Sequence, residues 1–319
     1  MTASECPAAL STVDRIAVPF VEPAADGYAL GGFQWRHGER QAERPVVIIN
    51  AATSLRCRYY SRFADYLFAN GLDVITYDYR GIGESRPASM GGFRASWSDW
   101  GMLDFEAMLQ RARREFPGQP IDVVGHSFGG CAAGLASSGQ LIRRLVTVGA
   151  QFAYWRDYAP AMRWKMFAKW HLLMPLVTGL YGYFPGKRLG WLEDTPKGVV
   201  ADWSTPTKRY EKRPSARRRG PLPFPQVQAQ LLAISLTDDP FGTRAAIERL
   251  LCYFTGSERS HLRIEPEDIG ETEVGHFAFF HSRFQEKLWP IALQWLRKAE
   301  LTGELPGQLS KLQGGPQTK

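Results

Sequence analysis

A chain of 319 residues that is 44% hydrophobic, 13% aromatic and 22% charged has enough apolar content to bury one large core. That excludes a stapled miniprotein, a fibrous repeat and a disordered chain. Lys and Arg exceed Asp and Glu by 39 to 32, but residues 151–225 alone carry fourteen Lys/Arg against five Asp/Glu and five of the ten Trp, so the basicity belongs to one segment. No recognition fold accompanies this charge, including the stretch Lys208 to Arg219, so nucleic acid is not an expected partner.

In chain order, Arg15 to Phe20 and Tyr28 to Trp35 read as two early strands separated by the turn-rich Glu22 to Gly27. Pro45 to Asn50 is a short continuous apolar run of the kind found in strands buried on both faces. The spacing of Tyr59, Phe63, Tyr66 and Leu67 predicts a helix over Arg58 to Asn70, stopped by Gly71. Then come a strand (Asp73 to Tyr77), a helix (Asp99 to Phe116), a strand (Ile121 to Val124), a helix (Phe128 to Ser138) and a strand (Leu141 to Val148). This alternation predicts an α/β fold with a mostly parallel sheet and right-handed crossovers.

After Gly149 the rhythm stops, and it resumes with a strand at Ala229 to Leu236, a helix at Thr243 to Phe254, a strand at His261 to Glu265 and a last helix at Arg283 to Glu300. Residues 1–150 and 226–302 are therefore expected to form the core, with 151–225 an inserted lid after the sixth strand. Residues 303–319, rich in Gly and Gln, are expected to be a flexible tail.

Cys6, Cys57, Cys131 and Cys252 are far apart and lack metal-site spacing, which fits a reduced, cytoplasmic setting. The N-terminal residues lack the basic and long apolar regions of a signal peptide. His171 to Phe184 is apolar but is interrupted by Pro175, Gly179 and Gly182, too short to span a bilayer. The sequence implies neither a metal nor an organic cofactor.

The chemistry is concentrated in Ile121-Asp-Val-Val-Gly-His-Ser-Phe-Gly-Gly130, where Gly125-x-Ser127-x-Gly129 falls directly after a strand and before a helix. A tight strand-to-helix turn projects the Ser127 hydroxyl clear of the sheet and aims backbone N–H groups at the place where an oxyanion would form. A serine hydroxyl needs a base and an orienting acid. Both candidates follow in the chain: Asp238 or Asp239 at the end of a strand, and His276 in the loop before the last helix. Serine at the turn, where aspartate would suggest a dehalogenase or epoxide hydrolase, points to acyl transfer.

In this order the motifs resemble the α/β-hydrolase superfamily, over residues 45–150 and 229–297. Asp78-Tyr-Arg-Gly-Ile-Gly-Glu-Ser85 is similar to that family's turn after the fourth strand. More narrowly, the Gly-His-Ser-Phe-Gly-Gly elbow, this turn, Asp238-Asp-Pro-Phe and Gly275-His-Phe resemble a group of bacterial predicted serine hydrolases. The resemblance implies a catalytic triad of Ser127, Asp239 and His276. Asp239 is preferred over Asp238 because the Asp-Pro-Phe-Gly-Thr register matches the segment that follows the acid in relatives. It also implies an oxyanion hole from the Phe128 N–H and one N–H after the third strand. Here Asn50-Ala51-Ala52-Thr53 replaces the usual His-Gly; by position Ala52 is the second donor, with Ala51 and Thr53 the alternatives.

The expected activity is hydrolysis of a carboxylic ester, with thioester or amide as variants, through an acyl-enzyme. An acyltransferase using the same triad and a non-catalytic binding protein on the same scaffold are the rivals. The substrate is expected to be a small acyl compound, apolar if the aromatic insert covers the cleft. Met162, Met166, Trp170 and Leu173 fall on one helical face with Arg163 and Lys169 off it. That pattern suits a lid helix or, in a sharper reading, peripheral contact with an anionic membrane or amphiphile.

Overall fold

In a computed structural model, residues 17–39, 41–217 and 219–312 are described. The sheet strands are β1 Val18–Pro23, β2 Ala29–Trp35, β3 Val46–Asn50, β4 Asp73–Tyr77, β5 Ile121–His126, β6 Ile142–Val148, β9 Gln230–Leu236, β10 Glu258–Ile264 and β11 Gln308–Leu312, and a separate two-stranded ribbon consists of β7 Tyr183–Phe184 and β8 Thr195–Pro196. The helices are α1 Ser61–Ala69, α2 Trp97–Asp99, α3 Glu106–Glu115, α4 Phe128–Ala133, α5 Arg163–Phe167, α6 Met174–Tyr181, α7 Gly186–Leu189, α8 Lys197–Ser204, α9 Arg244–Leu251 and α10 Trp289–Lys298.

The nine-stranded sheet runs β1-β2-β4-β3-β5-β6-β9-β10-β11. Its centre, from β4 to β10, is parallel throughout, and the antiparallel pairings are confined to the flanks. Every residue of β3, β4 and β5 is buried, the apolar ones in the core and the buried Asp73 and Asp122 with partners in Gln119 and Arg143. β4 and β5 lie on opposite sides of β3, so right-handed crossovers send α1 and α3 to opposite faces. The reversal opens a crevice between the C-terminal ends of β3 and β5, where Asn50 pairs with Gly125. α1 and α10 pack together through an edge contact of Phe63 and Trp289, 5.3 Å between centroids.

Several element boundaries differ from the pattern-based expectation. The helix after β5 ends at Ala133 instead of Ser138, with Gly134 at its C-cap, packed against the Phe224 ring where a Cβ would overlap. The last helix begins at Trp289, where Pro290 suits the first turn, and not at Arg283. Within the expected tail, Gln308–Leu312 is an edge strand paired antiparallel with β10. Backbone pairing, not burial of an apolar face, holds it, so its sequence shows no core signature. Cys6, residues 15–16 of the first expected strand, Arg218 and the last seven residues lie outside the described residues.

Between β6 and β9 the insert folds over the C-terminal end of the sheet. Its buried helical face is Met166, Trp170, Met174 and Thr178, while Met162 and Leu173 are exposed. A π-helical stretch over Ala168–Leu173 widens the turn and keeps every fourth residue pointing inward. The base of the insert is fixed to the core. Asp157 accepts from Arg249 of α9 at 2.9 Å, and the buried Arg213 donates to the carbonyls of Phe152 and Asp202 while lying against the Trp97 ring. Arg219 pairs with Asp99. Part of the basic charge noted in the sequence is thus spent on internal contacts.

Candidate active site

Ser127 connects β5 to α4 with φ 52° and ψ −120°, a conformation that a non-glycine residue adopts only under constraint. The two flanking glycines make it attainable. A Cβ at Gly129 would overlap the Asn50 carbonyl, and one at Gly125 would overlap the backbone of Gly130. The turn after β4 secures the neighbouring loops: Asp78 accepts the N–H of Cys57 at 2.6 Å and of Glu84 at 2.8 Å, and Arg80 is paired with buried Asp104.

His276 and Asp239 meet where the sequence order placed them. His276 Nδ1 lies 2.7 Å from Asp239 Oδ2, both groups buried. Burial pushes the Asp239 carboxyl up, but the charge and hydrogen bond of His276 and the N–H groups of Gly242 and Phe241 outweigh it, so the acid lies below its ordinary range. Asp238 has a different job. Its Oδ2 accepts the N–H groups of Val274 and Gly275, each at 2.8 Å, and so shapes the loop that carries His276.

Ser127 and His276 line one pocket of about 620 Å³, its mouth included. No hydrogen bond joins Ser127 Oγ to His276 Nε2; such bonds are often open in unliganded sites and close around substrate. The pocket is walled mainly by Trp97, Trp170, Trp191, Trp203, Phe241 and Phe277. Core and insert therefore build it together.

Ala52, by position the expected second oxyanion donor, has a partner for its N–H, which is donated to the Tyr60 hydroxyl at 2.9 Å. Among the described residues, the N–H groups of Thr53 and Phe128 have no acceptor, and both residues line the pocket. Trp97 Nε1 donates to Thr53 Oγ1 at 3.2 Å and holds that loop against the pocket wall.

Two further residues gave no local signal. Tyr60, eight positions from Ala52, decides which N–H is free. Lys169, expected to lie off the packed helical face, lines the pocket because the π-helical turn carries it round. Among the described residues no cluster of His, Cys, Asp or Glu could hold a metal ion, and no helix is long and apolar enough to cross a membrane.

The family model described as "Serine aminopeptidase, S33" matches residues 41–217, more than half of the chain. No curated protein matches the sequence. Among solved structures, a soluble variant of monoglyceride lipase from Saccharomyces cerevisiae, in complex with a substrate analogue, superposes with a TM-score of 0.63 at 15% identity, over 93% of this chain and 99% of that one. An esterase of Pyrococcus furiosus gives 0.57 at 17% identity, over 93% and 95%. A Xanthomonas campestris a/b serine hydrolase described as lacking a lid gives 0.51 at 12%, over 90% and 97%. These likenesses show the same fold.

Proposed function

We propose that this chain, which belongs to the serine aminopeptidase S33 family of α/β-hydrolases, cleaves a carboxylic ester through an acyl-enzyme. The observation that carries the reading is the 2.7 Å contact of His276 with Asp239 in the pocket that Ser127 enters from a strained turn. Ser127 attacks the ester carbonyl as His276 takes its proton at Nε2. Asp239, holding Nδ1–H, fixes the tautomer and stabilises the imidazolium. The free N–H groups of Phe128 and Thr53 receive the oxyanion. His276 returns its proton to the leaving alcohol, then takes one from the water that attacks the acyl-enzyme and passes it to Ser127 Oγ as the acid is released.

An ester suits this pocket better than a peptide with a free amino terminus. An aminopeptidase must hold an ammonium group, yet no Asp or Glu is among the lining residues, and the charged side chain contributed by the insert is Lys169. The esterase and the monoglyceride lipase among the similar structures support the same choice. The test is Ser127→Ala, expected to abolish fluorophosphonate labelling and hydrolysis of p-nitrophenyl esters together. Hydrolysis unchanged in that variant would refute the reading. Product analysis with and without an added alcohol separates hydrolysis from acyl transfer.

The insert also supports peripheral contact with an anionic amphiphile surface. Residues 158–192 contain no Asp or Glu. Within them Trp164 (69% exposed), Leu172, Leu173, Leu176 (65%) and Leu180 (79%) are exposed, as are the cations Lys165 and Arg188. An apolar face rimmed by cations and free of anions matches the boundary between acyl chains and anionic headgroups.

A further inference from the structure

Lys169 brings a cation to a pocket otherwise walled by aromatic rings. Its Nζ lies 4.4 Å from the ring centroid of Trp170 and 4.1 Å from that of Trp191, so two indoles hold the ammonium in place. Among the described residues it pairs with no carboxylate, whereas the buried or half-buried Arg56, Arg80, Arg111 and Arg249 each have one. Burial lowers the ammonium below its ordinary range, and Lys165, one turn earlier, adds repulsion in the same direction. A cation fixed by aromatic faces, partly dehydrated and lacking a counter-ion, is a prepared site for an anion.

We infer that Lys169 recognises a second, non-scissile carboxylate of the substrate, so that the enzyme acts on esters with an apolar body and one anionic end. The inference rests on the ester reading above and refines it: the tryptophan walls take the apolar body, Ser127 and His276 the scissile ester, and Lys169 the charge. The carboxylate can belong to the acyl or the alcohol half, and the two place the ester in opposite orientations.

The experiment compares kcat/KM for isosteric pairs: p-nitrophenyl hydrogen suberate against p-nitrophenyl octanoate for an anionic acyl half, and 4-carboxyphenyl octanoate against phenyl octanoate for an anionic alcohol half. In the wild type the anionic member of one pair is preferred, and the pair showing the preference identifies the half. Lys169→Met, which keeps the stem and removes the charge, is expected to lower that anionic-to-neutral ratio about tenfold or more. Lys169→Arg restores most of it, and Lys165→Met, outside the pocket, leaves the ratio alone. A wild-type ratio at or below one in both pairs, or a ratio unmoved by Lys169→Met, overturns the inference. Binding to the Ser127→Ala protein of monomethyl suberate against methyl octanoate, and of 4-carboxyphenyl octanoate against phenyl octanoate, followed by indole fluorescence, reads the same preference without turnover; equal binding within both pairs also overturns it. Loss of the ester reading shows separately, as an absence of labelling and of hydrolysis of every ester.

Discussion

His126 donates its Nε2–H to the carbonyl oxygen of His276 over 2.9 Å, so the residue before the nucleophile holds the backbone of the candidate base. A carbonyl can only accept, which makes Nε2 the protonated nitrogen. Nδ1 then accepts from the Tyr60 hydroxyl at 2.8 Å, and Tyr60 accepts the N–H of Ala52 at 2.9 Å. One buried chain of hydrogen bonds thus joins the loop after β3, the elbow and the histidine loop.

Tyr60→Phe removes the middle of that chain and leaves the Ala52 N–H and His126 Nδ1 without partners. Unfolding by urea is expected to show a stability loss of about 1–3 kcal/mol, the usual penalty for stranding a buried polar group. An unchanged midpoint would show that the chain does not hold these loops.

The adjacent carboxylates should separate cleanly. Asp239→Asn is expected to reduce kcat by roughly 10³–10⁴, because the amide favours the wrong imidazole tautomer. Asp238→Asn, which can still accept the Val274 and Gly275 N–H groups through its oxygen, should cost less than about tenfold. Equal losses in steady-state assays would contradict the division of roles.

Acid should weaken the protein earlier than carboxylate protonation would. Burial pushes His126 down to about 3, and His171 and His261 to about 4, from an ordinary value of 6.5. These are neutral in the folded chain and take up protons on unfolding, so their contribution is complete above pH 6.5 and is lost as pH falls toward 4. Each accounts for at most about 1.4 kcal/mol per pH unit. The melting temperature should therefore drop between pH 7 and pH 5, and His261→Gln should flatten the drop. A flat profile over that range would count against it.

On the insert, Leu176→Glu with Leu180→Glu should abolish co-sedimentation with vesicles containing phosphatidylglycerol while leaving hydrolysis of soluble esters in place. Wild-type protein that fails to sediment with such vesicles, or sediments equally with neutral ones, would remove the surface-contact reading.

The elbow, the turn after β4 and the order of serine, acid and histidine were legible in the sequence because each is a short run whose chemistry needs neighbouring residues. Asp238 and Asp239 differ only in which way each side chain turns, and the family register pointed to the one that meets His276. Which N–H after β3 lacks a partner was not legible, since it depends on a hydroxyl arriving from Tyr60. Lys169 was hidden by a local widening of the helix that a regular periodicity does not anticipate, and β11 by pairing through its backbone alone.

Arg213, dehydrated and clasping carbonyls at Phe152 and Asp202, carries a consequence for traffic through the cleft. With Asp157 paired to Arg249 of α9 near one end and Arg213 lying against the Trp97 ring near the other, the covering segment has a link to the core at each end. With both stems tied, molecules are expected to enter and leave by movement of the indole rings that line the pocket, without displacement of the whole insert.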